Sequence, residues 1–450
     1  MPELLDLADQ VVQAARVGED IEAYAVHRIS TTIQAGAGGE VRSVARAETR
    51  GVGVRLITGN RMGYASTADL RTTPLASTVE RARRNASLGD IDVANLLPSP
   101  MGAAAPSDRD SDRLRTTPLE DKIALVTGLA SSVVTLDARV RSLDTAEYHD
   151  ERREVAVVST RGIRTQESRT FVELWVDALG EDEHATASDY AYWCGLDPAE
   201  IDVRSLARTA VDRTARLLGP AARVPRASSV ILDRNVAAEL LAVVGRACTG
   251  SAMASGGSPL PGRVGSEVAA PCVSLIDDGL HRSSPAAASY DDEGVTRRRT
   301  DLITDGHIAG ALHSTATAAA VGAGASSTGN ARRASHKSPP RAAPTTLVLR
   351  PTLSLSCLLA DAGEAVYVQQ LSGAGVGISA ITGRVNVGCV GWVLRNGEAV
   401  GRVPTTPLTG TLSTVLRAVT AVGDDTEQIP FTPVQASTVL CDSQLLAPES

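Results

Sequence analysis

A helix stop followed by two prolines divides this 450-residue chain near its middle, and this break limits how the chain can pack. The stretch Gly219-Pro220-Ala221-Ala222-Arg223-Val224-Pro225 follows an amphipathic pattern over residues 201–218. A Gly after the last periodic residue and a Pro just beyond it are typical of a helix end and a linker. The chain is also longer than one hydrophobic core usually serves. We therefore predict two domains, 1–222 and 226–450.

The first half alternates strand-like and helical patterns, which is typical of an α/β domain. Apolar-rich or alternating runs predict strands, and apolar residues at helical spacing predict helices. Strands are predicted at 21–29, 31–35, 41–48, 51–58, 139–148, 153–160 and 169–179, and helices near 4–15, 118–132 and 201–218. We expect a mixed sheet with flanking helices.

The second half consists mainly of short apolar runs that Gly and Pro interrupt. Strands are predicted at 272–276, 297–304, 307–312, 345–349, 365–370 and 384–400, and helices near 236–249, 353–361 and 408–421. Many short strands with Gly turns indicate a strongly bent antiparallel sheet that resembles a barrel. The predicted fold class of the whole chain is α+β.

A Thr-Thr-Pro-Leu tetrad occurs three times, at 72–75, 116–119 and 405–408. A Thr hydroxyl can accept a hydrogen bond from an orphan amide at a helix N-cap, and Pro suits the first helical position. We therefore predict that a helix begins at each of the three tetrads.

Composition and charge disfavour two classes of function. The formal net charge is −8, aromatic residues make up 3%, and no long basic run is present, so nucleic acid is not an expected partner. No apolar run reaches the roughly 20 residues that span a bilayer, and the acidic start Met1–Asp6 is unlike a signal peptide. The six cysteines form no C-x-x-C pair and read as reduced, buried thiols. A cytoplasmic protein that binds no membrane is expected.

The helix predicted at 236–249 carries no metal ligand set. A helical metalloprotease site needs two imidazoles about one turn apart and a neighbouring carboxylate that acts as general base. Glu239 is present, but no histidine lies between His184 and His281. No Gly-x-Ser-x-Gly nucleophile elbow occurs either. We predict neither a metal site nor a catalytic residue in this chain.

The richest polar segments are the candidates for binding a peptide or a partner. On a strand, Arg297 and Arg299 would share one face, with Arg298 on the other. A solvated charged edge explains these arginines equally well. A Ser-Thr-Gly-Asn turn at 327–330 could offer amides to an extended peptide. The candidate residues are Arg297, Arg299, Ser327, Thr328, Gly329, Asn330, Arg332 and Arg333.

Several stretches, taken in order, resemble the TldD/PmbA family, and in particular its TldE (PmbA) branch. They are 233–250, the Arg-Arg and Leu-His segment 294–314, the segment 315–320 with 327–333, the Gly-rich turns 373–376 and 381–384, and 391–398, with weaker matches at 51–55 and 63–66. The catalytic TldD branch of the family carries a zinc-binding His-Glu-x-x-x-His on the helix after the first strand of this half. Here Leu241, Ala242 and Arg246 stand where His, Glu and His would be.

The resemblance implies a division of labour between two subunits. TldD holds zinc, and TldE completes a chamber that admits extended peptides, which are degraded or trimmed, in some cases during maturation of peptide natural products. The resemblance therefore implies a non-catalytic subunit with no cofactor of its own and a TldD-like, zinc-bearing partner in a heterodimer.

Two other hypotheses remain open. One is a stand-alone enzyme with altered, non-zinc chemistry that uses Cys389 or His313 in the same cleft. The other is a structural homodimer that acts as a scaffold. Cleavage of peptides by the purified chain would favour the first, and a stable dimer without a partner would favour the second.

Overall fold

The computed structural model describes residues 3–102, 109–223, 229–322, 324–430, 432–443 and 446. The elements of the first half are α1 (Leu4–Val12), β1 (Glu19–Ala35), β2 (Val41–Thr58), β3 (Arg61–Thr67), α2 (Thr72–Leu88), α3 (Asp112–Thr116), α4 (Leu119–Leu136), β4 (Ser142–Ser159), β5 (Arg164–Glu181), β6 (Thr186–Gly195), a 3₁₀ turn (Pro198–Glu200) and α5 (Val203–Arg216).

One six-stranded sheet organises this half, with strand order β3-β2-β1-β4-β5-β6. Every neighbouring pair is antiparallel, so the predicted mixed sheet is wrong. Loops of two to five residues connect β1 to β2, β2 to β3, β4 to β5 and β5 to β6. Loops this short can join only antiparallel neighbours, because a parallel pair needs a long crossover.

The two faces of this sheet have different neighbours. Ile21, Ala23 and Ala25 on β1 pack in one apolar cluster with residues of α1 and α2, and Ile33 packs in a second cluster with residues of α4. Burying an aliphatic side chain of this size stabilises a fold by about 1.5–3 kcal/mol. The alternate β1 residues, such as Glu22, lie on the opposite face. This second face meets the other half of the chain.

The second half holds more and shorter elements. They are β7 (Ser229–Leu232), α6 (Arg234–Ala247), α7 (Gly250–Ala254), β8 (Leu275–Asp278), β9 (Arg299–Thr304), β10 (His307–Ile308), α8 (Thr315–Val321), β11 (Ala331–Arg332), β12 (Arg341–Ala342), β13 (Leu347–Leu349), α9 (Leu355–Ala362), β14 (Glu364–Ser372), α10 (Ala374–Gly377), β15 (Arg384–Arg395), β16 (Glu398–Thr411), α11 (Leu412–Ala418), β17 (Val419–Val422), β18 (Glu427–Ile429), β19 (Val434–Ala436) and β20 (Val439–Cys441).

Two six-stranded sheets, β10-β9-β8-β13-β19-β18 and β16-β15-β14-β7-β20-β17, dominate this half, beside the small pair β11-β12. Most neighbouring strands of this half are antiparallel, as expected, but β7 pairs with β14 and β13 with β19 in parallel. The 131-residue segment between β7 and β14, including α6, supplies the crossover that a parallel pair requires. Neither sheet closes on itself within the described residues, so the barrel-like shape is not confirmed.

The predicted α+β class is confirmed, since helices and several sheets share the chain. The first sheet ends at Gly195, and the strands of the other sheets begin at Ser229. The predicted division into 1–222 and 226–450 stays a prediction, and residues 224–228 beside that boundary lie outside the described residues. No helix in the described ranges is both long and apolar enough to cross a membrane.

Candidate functional site

Helix α6 is anchored at its first turn by buried charges. Asp233 caps the helix by accepting a hydrogen bond of 2.9 Å from the amide of Asn235. The same carboxylate accepts hydrogen bonds from Arg213 Nη1 at 3.0 Å and from Tyr367 Oη at 2.9 Å. Arg213 also pairs with Asp189 on β6 at 3.1 Å. These contacts fix the helix against both the first sheet and β14.

The three positions of interest on α6 differ in their surroundings. Leu241 and Ala242 are buried in the largest apolar cluster of the second half, at 3% and 7% exposure. Arg246 is exposed, and its side chain has no ion pair among the described residues. The helix turn that carries Leu241 and Ala242 therefore packs in the core, and the next turn carries the solvent-exposed Arg246.

His313 and Cys389, the two reactive residues considered for altered chemistry, lie in different settings. His313 packs against Gly250, where an added Cβ would lie 2.2 Å from the imidazole Cε1. Burial lowers the pKa of His313. Cys389 on β15 is buried, and burial raises the pKa of its thiol to about 12. A thiol with that pKa is almost entirely protonated at neutral pH, and the thiolate is the nucleophilic form.

The prediction that the cysteines are buried holds for only some of the others. Cys248 and Cys441 are buried, Cys194 and Cys272 are half-buried, and Cys357 is exposed. All six are free.

The Ser-Thr-Gly-Asn turn is buried instead of presenting open amides. Thr328 Oγ1 accepts a hydrogen bond of 2.8 Å from the amide of His313, and the amide of Gly329 donates to Ser327 Oγ at 3.3 Å. Asn330 Nδ2 donates to Asp277 Oδ2 at 2.6 Å. These groups form hydrogen bonds within the chain, so in this conformation the turn connects structural elements and does not offer them to a peptide.

The candidate arginines divide into two buried and two exposed side chains. Arg297 is buried and donates to the carbonyl of Tyr290 at 2.9 Å and to Thr345 Oγ1 at 2.7 Å. Arg299 and Arg332 are exposed. The expectation that Arg297 and Arg299 share one face is wrong, because β9 begins only at Arg299 and Arg297 turns into the protein before it.

Arg333 is the fourth arginine and lies at the centre of a buried ionic network. Its side chain is fully buried and pairs with Glu22 on β1. Glu22 also pairs with Arg55 on β2 at 2.6 Å, and Arg55 reaches Glu293 at 2.8 Å. The guanidinium of Arg333 lies over the ring of Tyr24, 4.8 Å from its centroid. The network ties the second face of the first sheet to the loops of the second half.

Nearby carboxylates complete this junction. Glu293 Oε2 accepts a hydrogen bond of 2.9 Å from the amide of Thr315 at the start of α8. Burial, together with the negative charge of Glu293, raises the pKa of Asp291. The amide of Arg333 donates to Asp292 Oδ2 at 2.7 Å. Charges buried in this way are stable only when they are paired and hydrogen-bonded.

Sequence reasoning missed Glu22, Arg55 and Glu293 as members of this network. Glu22 and Arg55 are the charged residues within the runs 21–26 and 51–58, which are otherwise uncharged and mostly apolar, and a lone charge in such a run is a signal of a buried partner. Nothing in the sequence pairs either residue with the segment around 293 or 333.

Three family models match this chain. They describe a PmbA/TldA metallopeptidase domain 1 over residues 21–86, a central domain over 112–218 and a C-terminal domain over 225–447. The chain belongs to the PmbA/TldD metallopeptidase family. The matches divide the first half of the chain into two family segments.

Family relatives of both names match at similar identity. A metalloprotease TldD homolog of Haemophilus influenzae is 26% identical over 84% of this chain and 80% of its own length. The metalloprotease PmbA of Escherichia coli O157:H7 is 24% identical over 91% of this chain and 87% of its own. Whole-chain identity therefore does not separate the TldD from the PmbA branch for this family member.

Solved structures share the fold over nearly the whole chain. A proposed modulator of a DNA gyrase from Thermotoga maritima superposes with a TM-score of 0.88 at 20% identity, over 97% of this chain and 98% of that one. TldE from Thermococcus kodakarensis gives a TM-score of 0.82 at 18% identity, over 97% and 98%. At this level of identity the likeness establishes the fold.

The family name implies a metal, so the donor set on α6 has to be tested against one. Zinc takes nitrogen, sulfur or carboxylate oxygen ligands, and neither Leu241 nor Ala242 carries any such atom. The guanidinium of Arg246 carries a positive charge, which repels a cation. Among the described residues, no group of three or more His, Cys, Asp or Glu side chains could hold a metal ion. The residues at these positions do not fit zinc.

Proposed function

We propose that this chain is a TldE-like, non-catalytic subunit that pairs with a zinc-bearing PmbA/TldD relative in a heterodimeric metallopeptidase. The substrates of the complex would be extended or unfolded peptides, with a peptide natural product as one possible case. In this proposal zinc belongs to the partner, and neither nucleic acid nor a membrane is a ligand.

One observation carries the proposal. The chain retains the family fold, including β7, the capped helix α6 and the loops around it. Positions 241 and 242, which match zinc-motif positions of the TldD branch, are buried apolar residues. A cation at Arg246 adds electrostatic opposition to a metal at the same place. A subunit that keeps the family fold but lacks the metal ligands is suited to support the zinc site of its partner.

The placement of the eight candidate residues narrows where such a subunit could contact a peptide or its partner. Six of them, Arg297, Ser327, Thr328, Gly329, Asn330 and Arg333, are buried and engaged within the chain. Arg299 and Arg332 are exposed. We propose these two arginines as contacts with the partner or with the peptide, and the other six as the frame that positions them.

The proposal is tested by producing the chain alone and together with a family member that carries His-Glu-x-x-x-His. Both preparations are assayed for cleavage of an unstructured peptide, and their masses are measured in solution. We expect a heterodimer that cleaves, whereas the chain alone does not. A matched control replaces the glutamate of the partner's motif with Gln, which should abolish cleavage and preserve the heterodimer.

The two other hypotheses predict different results in the same experiment. A stand-alone enzyme would cleave without the partner and would lose activity in Cys389→Ala or His313→Ala. The raised pKa of Cys389 counts against that result. A homodimeric scaffold would keep its own dimer when the partner is present, and the mass measurement distinguishes that dimer from the proposed heterodimer.

A further inference from the structure

A cavity of about 200 Å³ lies between the outer edge of β6, helix α5 and the start of α6, away from positions 241–246. Tyr190 and Tyr192 on β6, Glu200 and Asp202 before α5, and Glu427 on β18 are among the residues that line it. We propose that this cavity binds the basic side chain of an extended peptide, either lysine or arginine. The inference rests on the proposed function in that it takes an extended peptide as the ligand.

The aromatic wall suits a cation. Tyr190 and Tyr192 both line the cavity, and their ring centroids lie 6.0 Å apart. Tyr192 is buried, and its hydroxyl donates to Asn235 Oδ1 at 3.4 Å, which holds the ring in place. The face of an aromatic ring carries negative potential and attracts an ammonium or guanidinium group.

The charges around the cavity are predominantly negative. Arg213 is compensated by two carboxylates, those of Asp189 and Asp233, and Arg234 pairs with Glu427 at 2.6 Å. The lining residues Glu200 and Asp202 are exposed, and neither pairs with an arginine or lysine among the described residues, although the Asp202 carboxylate caps α5 by accepting hydrogen bonds from two main-chain amides. The charged groups in and beside the cavity therefore include more carboxylates than guanidinium groups.

Burial also raises the pKa of Glu427, although Arg234 opposes that effect. A bound cation would favour the charged form of this carboxylate, so binding a basic group would relieve part of the desolvation cost at the cavity.

One backbone feature suits an extended chain in particular. Strand β6 is the edge strand of the first sheet, and its outer edge pairs with no other strand in the described part of the chain, although the Ser188 carbonyl accepts a hydrogen bond from Gln370 Nε2 and the Tyr190 amide donates to Asp189 Oδ1. An extended peptide can add to such an edge through main-chain hydrogen bonds, with a pocket receiving one side chain.

The test uses the full chain alone and two fluorescein-labelled peptides, Ala-Thr-Ala-Lys-Ala-Thr-Ala and the same sequence with Nε-acetyl-lysine. Fluorescence anisotropy gives the Kd of each peptide. We expect the lysine peptide to bind about tenfold more tightly, because acetylation removes the charge that the ring faces and carboxylates attract.

Variants of the cavity make the assignment specific. The double variant Glu200→Gln and Glu427→Gln should bring the two Kd values together, and Thr209→Arg should place a competing cation in the cavity and block the lysine peptide. Asp212→Asn is the matched control, because Asp212 is an exposed acid on the same helix outside the cavity. It should leave the preference unchanged.

Equal binding of the two peptides, or a lysine preference that survives both cavity variants, would overturn the inference. Competition by free spermidine at the affinity of the lysine peptide would overturn its peptide part. Binding by this chain alone does not require the partner, so loss of cleavage by the heterodimer with an intact lysine preference would contradict only the proposed function.

Discussion

Single residues show why burial, and not residue type, decides what an arginine does in this chain. Arg299 ends a run of three arginines and Arg333 ends a pair, yet the side chain of Arg333 is fully buried and that of Arg299 is 53% exposed. The partner of Arg333, Glu22, is 311 residues away along the chain. No local pattern can reveal a pairing over that distance, so the sequence indicated a binding residue where the structure has a buried junction.

Replacing Arg333 should destabilise the fold strongly. Arg333→Met leaves Glu22 buried with only Arg55 as its partner, and breaking a buried ion pair on one side costs about 3–5 kcal/mol. The free energy of unfolding from urea titration measures the loss. Arg299→Met is the control and should change that free energy by no more than about 0.5 kcal/mol. Similar losses in the two variants would contradict the buried network.

Glu173 on β5 should make stability depend on pH. Burial, with Glu147 and Glu151 nearby, raises its pKa from the ordinary 4.5 to about 7. An acid whose folded pKa is raised contributes stability below its unfolded pKa, and that contribution is lost as pH rises through the folded pKa.

We therefore expect Glu173→Gln to flatten the fall in unfolding free energy between pH 4.5 and pH 7. The variant should also be more stable than the parent above that window. Urea titrations at pH 5 and pH 7.5 measure both effects. Parallel pH profiles for the two proteins would show that Glu173 ionises without this penalty.

At the scale of elements, the same tetrad has different outcomes in different neighbourhoods. Thr-Thr-Pro-Leu begins α2 at Thr72 and precedes α4 at Leu119, as predicted, although neither helix has a side-chain N-cap. The third tetrad, 405–408, lies inside β16, and the following helix α11 begins only at Leu412. Residues 406–411 pair with β15, so tertiary pairing overrides a local helix-start signal.

Element existence was more predictable than element pairing. Helix α6 was expected near 236–249 and spans Arg234–Ala247, since apolar periodicity and an Asp cap are local signals. The direction of pairing was not local. The short C-terminal strands look alike in sequence. The parallel pairing of β7 with β14 needs a crossover through the 131 residues between them, and no local pattern predicts it.

Two glycines in helices should respond oppositely to alanine. At Gly245 in α6, an added Cβ would lie 2.3 Å from Leu347 Cδ1 and 3.1 Å from Pro344 Cγ, so Gly245→Ala should destabilise. At Gly128 in α4, the nearest atom would be 3.9 Å away, and Gly128→Ala should stabilise by up to about 1 kcal/mol. Thermal melts compare the two, and stabilisation by both would show that α6 packs more loosely against β13.

At the scale of the whole molecule, the proposed function divides one activity between two chains. The buried network joins the first sheet to the second half, so the proposed contacts with a partner and a peptide are assigned to exposed residues. Arg299→Ala with Arg332→Ala should weaken the heterodimer or its peptide binding and reduce the salt dependence of association. The matched control is Arg350→Ala with Arg395→Ala, two other exposed arginines. Equal affinities for both double variants, measured by surface plasmon resonance, would remove Arg299 and Arg332 from the interface.

The most direct test of the central claim is the zinc content of the purified chain, alone and in complex with its His-Glu-x-x-x-His partner. Metal analysis by mass spectrometry after dialysis gives zinc per chain. We expect no stoichiometric zinc on the chain alone. We expect a single zinc in the heterodimer, and its loss when the histidines of the partner's motif are replaced. Stoichiometric zinc on the isolated chain, together with peptide cleavage, would contradict it.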